Sequence, residues 1–129
     1  MEVQVGDRPV TIETARIREG EDRVRLQMEE YLAGEREEFD LTWTAPDGFL
    51  GRVMEALVQV PYGEARTYGQ LADVLGTAPV AVGQACSRNP LPLVVPCHRV
   101  VGVDDVGGYQ YPGLKERLLA MESGGAPLR

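Results

Sequence analysis

A chain of 129 residues with 43% hydrophobic content is long enough for one domain, or for two small subdomains sharing a core. No apolar run approaches the roughly 20 residues of a membrane helix, and the opening MEVQVGDRPV lacks the basic and apolar regions of a signal peptide, so a cytoplasmic protein with no membrane partner is expected. The net charge of −7 argues at first against nucleic acid, because phosphate binding draws on Lys and Arg.

The distribution of charge changes that reading. Residues 1–47 carry thirteen acids and six bases, whereas residues 48–129 carry seven of each, which leaves the second part free to face a polyanion. Cys86, Cys97 and His98 are the only Cys and His side chains. Three such ligands fall short of a tetrahedral zinc site, so no metal is expected.

In chain order, Val3 and Val5 alternate with polar neighbours, Gly6-Asp7 makes a turn, and Val10 and Ile12 alternate again, which predicts a hairpin. Val24, Met28, Tyr31 and Leu32 predict a helix over 22–33, stopped by Gly34. An extended connection runs over 36–47. Asp47 then reads as the cap of a helix with Leu50, Val53, Met54, Leu57 and Val58 on one face, ended by Pro61-Tyr62-Gly63. Thr67 caps a short helix over 68–75 closed by Gly76, and Pro79 opens a third helix running to about Arg88. These short helices form a helix-turn-helix pattern with the third in the recognition position. Leu93, Val94 and Val95 read as a buried strand, 102–108 as a Gly- and Asp-rich hairpin, 113–122 as a last helix, and 123–129 as a frayed tail. The fold class is therefore mixed α/β (α+β). A compact N-terminal hairpin-and-helix part precedes a helical part that carries the helix-turn-helix pattern.

Chemistry concentrates at Pro96-Cys97-His98-Arg99. Pro96 stiffens the approach to Cys97, and a thiol becomes nucleophilic when a neighbouring base helps it lose its proton. In a regular strand His98 would point away from Cys97, so a bent backbone or a water is needed between them. On the last helix Leu114, Leu118 and Glu122 fall near one stripe. An inward carboxylate needs a partner, and His98 fits that need, giving a Cys97–His98–Glu122 relay. An inert core cysteine and a Glu122 that swings into solvent are the plainer alternatives.

Val60-Pro61-Tyr62-Gly63-Glu64, Thr67-Tyr68-Gly69-Gln70-Leu71-Ala72, Ala81-Val82-Gly83, Asn89-Pro90-Leu91-Pro92 and Val95-Pro96-Cys97-His98-Arg99-Val100 resemble, in register, the O6-alkylguanine-DNA alkyltransferases. The likeness runs from about Ala45 to Glu122, and Tyr31 to Asp40 resembles the end of the family's N-terminal subdomain, which implies a compact N-terminal α/β subdomain over 1–44 and a helical, winged-helix-like DNA-binding domain over 45–129. The resemblance implies DNA repair by single-turnover transfer of an alkyl group from O6-alkylguanine, and from O4-alkylthymine, to Cys97. It implies His98 as water-bridged base, Glu122 orienting it, Tyr68 rotating the nucleotide out and protonating the leaving guanine, and Asn89 bracing the active-site turn. It further implies a guanine pocket at Pro92, Val100, Tyr109 and Gln110. A minor-groove face would hold Thr67, Tyr68, Val80, Ala81, Gly83, Gln84 and Arg88, with Ala81, Gly83 and Ala85 keeping the third helix slim. The implied partner is double-stranded DNA with a flipped base, bound by a monomer that needs no cofactor.

Val80 departs from the family pattern, which places Arg there to fill the space of the flipped base. The loop before the last helix is also shorter than usual. The main alternative is a non-catalytic protein resembling the alkyltransferase-like lesion binders, which typically lack the acceptor cysteine. A cysteine hydrolase or redox enzyme is a second.

Overall fold

The computed structural model describes residues 1–128. The alternation at the N-terminus folds as an antiparallel hairpin, β1 (Glu2–Val5) with β2 (Arg8–Thr11), in which Val3 stands opposite Val10. Val3, Val5, Val10 and Ile12 all point into the core. Helix α1 (Glu21–Leu32) buries Val24, Met28, Tyr31 and Leu32 on the stripe that the spacing predicts. The connection that follows is held to the preceding turn by an Ile17–Trp43 bridge.

Helix α2 spans Phe49–Leu57 and buries Val53, Met54 and Leu57, but Asp47 does not cap it. The N-cap is Gly48, at φ 83°, and no side chain bonds the first turn. A Cβ at Gly51 would lie 2.0 Å from the Pro46 carbonyl oxygen, so the chain crosses directly over the helix's first turn and leaves Asp47 outside it. Two residues of parallel pairing, β3 (Arg66–Thr67) against β4 (Val100–Val101), tie this half together. Between them lie α3 (Tyr68–Leu75) and α4 (Pro79–Cys86). Thr67 and Gln70 form a reciprocal capping box on α3, and Gly76 ends it in the left-handed conformation. Helix α4 stops at Cys86, before Arg88, and the chain leaves it through tight i→i−3 turns at Arg88 and Asn89. Helix α5 (Leu114–Glu122) closes the fold.

Three further expectations need correction. The run from Leu93 to Val95 is a turn, not a strand: Leu93 takes φ 72°, and the Val95 N–H bonds the Leu91 carbonyl at 2.9 Å. Flanking Pro92 and Pro96 supply no N–H groups for a ladder. Residues 102–108 form no hairpin, because Val100 and Val101 pair with β3 instead and Asp105 captures the Gly107 N–H at 2.8 Å in a local turn. The tail does not fray over its described part: the Leu128 N–H bonds the Leu32 carbonyl at 3.0 Å, latching it to the end of α1. Arg129 lies outside the described residues. The result is a mixed α/β fold whose single core cluster draws on both halves of the chain.

Candidate active site

The site is built on a pinned turn. Asn89 Nδ2 donates to the Val95 carbonyl at 2.9 Å, and Asn89 Oδ1 accepts from the Leu91 N–H at 3.0 Å. After Pro96 the chain makes one 3-10 turn, Cys97–Arg99. Successive side chains on such a turn diverge by about a third of a circle instead of half. Cys97 and His98 therefore serve different neighbours without a strand's strict opposition.

Cys97 is 2% exposed and contributes to the wall of a cavity of about 570 Å³ between α4 and the loop before α5. Tyr68, Val80, Gly83, Gln84, Tyr109 and Gln110 share that wall, as does the second free thiol, Cys86. Burial pushes the Cys97 thiol above its usual range, and the neighbouring Asn89 and Tyr109 side chains partly offset it. Burial, helped by Cys97, pushes Cys86 up to about 12.

His98 is fully buried, and its Nε2 lies 2.8 Å from Glu122 Oε2. Burial alone would raise the Glu122 pKa. Hydrogen bonds from His98 and Arg99 outweigh it and hold the carboxyl at about 2. An ionised carboxylate can only accept, so Nε2 carries the hydrogen and the lone pair rests on Nδ1. That nitrogen has no protein partner. Burial lowers the imidazole's pKa against the pull of Glu122, which keeps it neutral and able to accept a proton at neutral pH.

Glu122 is held from several sides. Arg99 donates through Nε to Oε1 at 2.8 Å and through Nη2 to Oε2 at 2.9 Å, while its Nη1 donates to the Val60 carbonyl at 2.8 Å. The Tyr62 ring lies 5.6 Å from the guanidinium carbon. Tyr31, reaching in from α1, donates its hydroxyl to Oε2.

Across the cavity, Tyr68 stands at the first position of α3. Lys115 Nζ, on a side chain 1% exposed, donates to Tyr68 Oη and to the Gly108 carbonyl, both at 3.1 Å. Gly107, at φ 75°, lies flat under the phenol: a Cβ there would come within 2.7 Å of the ring and hydroxyl.

The structure brings Cys97, Tyr68, Val80, Gly83, Gln84, Tyr109 and Gln110 to one cavity and sets Asn89, His98 and Glu122 behind it. Pro92 and Val100, expected on the pocket wall, are buried and do not line it. Thr67 serves as the α3 cap, Ala81 is half-buried, and Arg88 is exposed beyond α4; none of these three lines the cavity. Ala85 is fully buried, so its small size serves core packing and not an outer face. The sequence reading gave no role to Tyr31, Arg99, Gly107 or Lys115. Lys115 was visible in principle, as the only Lys and three residues before Leu118 on the inward stripe. Arg99 was visible as the charge that follows a buried apolar run. Tyr31 offered no signal beyond its place on the core face of α1.

The match to 6-O-methylguanine DNA methyltransferase, DNA binding domain, covers residues 48–124. A methylated-DNA–protein-cysteine methyltransferase of Archaeoglobus fulgidus is 44% identical over 104 residues, covering 74% of this chain and 71% of the relative. One of Methanosarcina acetivorans is 46% identical over 102 residues, covering 74% and 65%. The crystal structure of Mycobacterium tuberculosis OGT in complex with DNA superposes with a TM-score of 0.76 at 41% identity, covering 82% of this chain and 69% of that one. The chain thus spans about two thirds of the length of these relatives, and it belongs to the O6-methylguanine-DNA methyltransferase family.

Proposed function

We propose that this chain repairs O6-alkylated guanine in duplex DNA by moving the alkyl group to the Cys97 sulfur, once per molecule. The observation that carries this reading is the division of the site: Cys97 and Tyr68 face one cavity, while His98 and Glu122 are sealed behind the sulfur.

The bookkeeping of atoms closes on side chains alone. Cys97 gives its proton to His98 Nδ1 through a bridging water, and the imidazolium is met by Glu122. The sulfur forms a bond to the alkyl carbon as that carbon's bond to O6 breaks. The departing guanine takes a proton from Tyr68 Oη, and the Lys115 ammonium stabilises the phenolate left behind. A thioether has no route back to thiol, so each molecule acts once. O4-alkylthymine presents the same kind of carbon and is expected to react.

An O6-alkyl carbon inside stacked DNA is out of reach, so the nucleotide must rotate into the cavity at a cost of a few kcal/mol. Helix α4 carries no charged side chain, and its exposed Val80 and Gln84 suit close approach to a minor groove read with little sequence preference. One chain supplies every group named, so a monomer suffices. We place the N-terminal unit at 1–44 and the DNA-binding unit at 45–129. No helix among the described residues is long and apolar enough to cross a membrane, and the two free thiols fit a cytoplasmic setting.

Intact-mass spectrometry after mixing with an O6-methylguanine duplex tests the reaction. The expected result is one methyl in place of one hydrogen, mapped to Cys97, with no gain in Cys97→Ser. Binding without a mass change would establish a non-catalytic lesion binder instead, and repeated turnover would point to a hydrolase.

A further inference from the structure

We infer that Tyr31, a side chain of the N-terminal helix, is a positioning residue of the transfer site whose hydroxyl tunes the proton affinity of His98 through Glu122. Oε2 of Glu122 is shared by three donors: His98 Nε2, Arg99 Nη2 and Tyr31 Oη. The Tyr31 hydroxyl also lies 3.4 Å from His98 Nε2. A carboxylate oxygen that divides its lone pairs among several donors is a weaker acceptor toward each of them. Tyr31 therefore draws charge away from the bond that would stabilise an imidazolium, and it holds His98 in the neutral form that can take the thiol proton.

A packing role alone would not put the hydroxyl there. The Tyr31 ring is fully buried against Phe39 and Tyr62, at centroid distances of 5.2 and 6.2 Å, which accounts for its bulk. Its oxygen could be satisfied by any carbonyl, yet it meets the one carboxylate that orients the base. The latch of Leu128 on Leu32 fixes the chain end beyond α5 to the end of α1, one residue from Tyr31. Burial, and after it the Glu122 charge, raise the Tyr31 phenol well above its usual range, so it stays a donor throughout.

The other ionisable groups facing His98 and Glu122 are accounted for. Arg99 comes from the same turn, Lys115 from α5 and Tyr62 from the loop after α2; Glu37, in the connection after α1, acts on Tyr62, and Tyr109, in the loop before α5, acts with Tyr31 and Cys97. Among these, Arg99 is the only other side chain that bonds Glu122, and it is untouched by a change at residue 31.

This role rests on the proposed reading of His98 as the base, but its test does not. His98 is the only histidine, so its ring nitrogens give unambiguous NMR signals that report protonation and the strength of the Nε2–H bond. The experiment titrates these signals in the wild type, in Tyr31→Phe, and in protein carrying 3-fluorotyrosine at position 31, a stronger donor of nearly the same shape. Single-turnover methyl transfer is measured against pH on the same samples. Tyr31→Phe is expected to raise the His98 titration by about half a unit or more, fluorotyrosine to lower it, and the acid limb of the rate profile to follow both shifts. If Tyr31→Phe does not fold, the fluorotyrosine arm decides alone. Ring signals that coincide in all the proteins, or that move in the reverse directions, overturn the inference. Shifted signals with no methyl transfer in any sample would instead overturn the proposed reaction and leave the tuning of His98 standing.

Discussion

Replacing Glu122 by Gln keeps the shape of the side chain and removes its charge, which leaves the buried Arg99 guanidinium without an anion. Breaking a buried pair in this way typically costs about 3–5 kcal/mol. A second route to the magnitude uses proton linkage. The Glu122 carboxyl falls from its ordinary 4.5 to about 2 in the folded chain, and at roughly 1.4 kcal/mol per unit this amounts to about 3 kcal/mol. The sign follows from the depression: the stabilisation is complete above pH 4.5 and is lost as pH falls through 2. Urea unfolding of wild type and Glu122→Gln between pH 7 and pH 2.5 therefore has a definite expected form. The variant is less stable by about 3 kcal/mol or more at pH 7, and the gap narrows toward acid because only the wild type loses the contribution. Other titrating carboxylates, such as Asp7 and Glu19, are common to both proteins and cancel; His98 does not, because Glu122 pulls its titration up, so the narrowing is read below pH 4.5. If the variant is too unstable in urea at neutral pH, both proteins are compared by thermal unfolding over the same pH range. A gap of the same size at both ends of the range would show that Glu122 stabilises by packing and not by charge.

Val80→Arg places a cation at an exposed rim position, 68% accessible, of a helix that has none. It is expected to tighten duplex binding and to steepen its salt dependence by about one unit of slope; fluorescence anisotropy across KCl reads both, and unchanged or weaker affinity refutes it. Lys115→Met removes the ammonium at Tyr68, and single-turnover methyl transfer should slow on the order of 100-fold with little change in affinity for the damaged duplex. An unchanged rate would remove Lys115 from proton donation. Gly107→Ala forces a left-handed backbone onto a residue with a Cβ, at about 1–2 kcal/mol, and pushes the Tyr68 ring aside. The rate should fall by more than the drop in thermal stability explains, and a rate equal to wild type would show that the position of Tyr68 is not critical.

What the sequence made legible followed from local rules. The N-terminal alternation, the core stripe of α1, the Thr67 cap and the Pro79 start of α4 each rest on periodicity or capping within a few residues, and the structure reproduces all four. The misreadings came where distant groups decide. Three apolar residues from Leu93 to Val95 look like a buried strand, but Asn89 holds the Leu91 N–H and the Val95 carbonyl on either side of the bend and turns the chain back. Asp47 looks like a cap until Pro46 is found lying over Gly51. In the site, the stripe of α5 placed Glu122 inward, whereas the bidentate grip of Arg99 and the hydroxyl of Tyr31 arise only once α1, the 3-10 turn and α5 are assembled. A separation of 91 residues between Tyr31 and Glu122 leaves no local pattern to read.

A nucleophile sunk this deeply raises the question of how a proton can leave it at all. Burial alone pushes Cys97 toward thiol and His98 toward neutral imidazole, so the resting pair carries no charge. Glu122 is already ionised, and Arg99 balances it with two hydrogen bonds. In the proposed transfer of the proton from sulfur to imidazole, a thiolate and an imidazolium appear together, and the total charge of the cluster does not change. The new cation lies 2.8 Å from a carboxylate that is already an anion. No unbalanced charge is created in a low-dielectric interior, where such a charge would cost several kcal/mol. Without Arg99 the carboxylate would tend to take up a proton itself, and the imidazole would lose the anion it needs at the moment of transfer. In the proposed relay Arg99 therefore acts without touching the sulfur, by keeping Glu122 ionised before an alkyl group arrives.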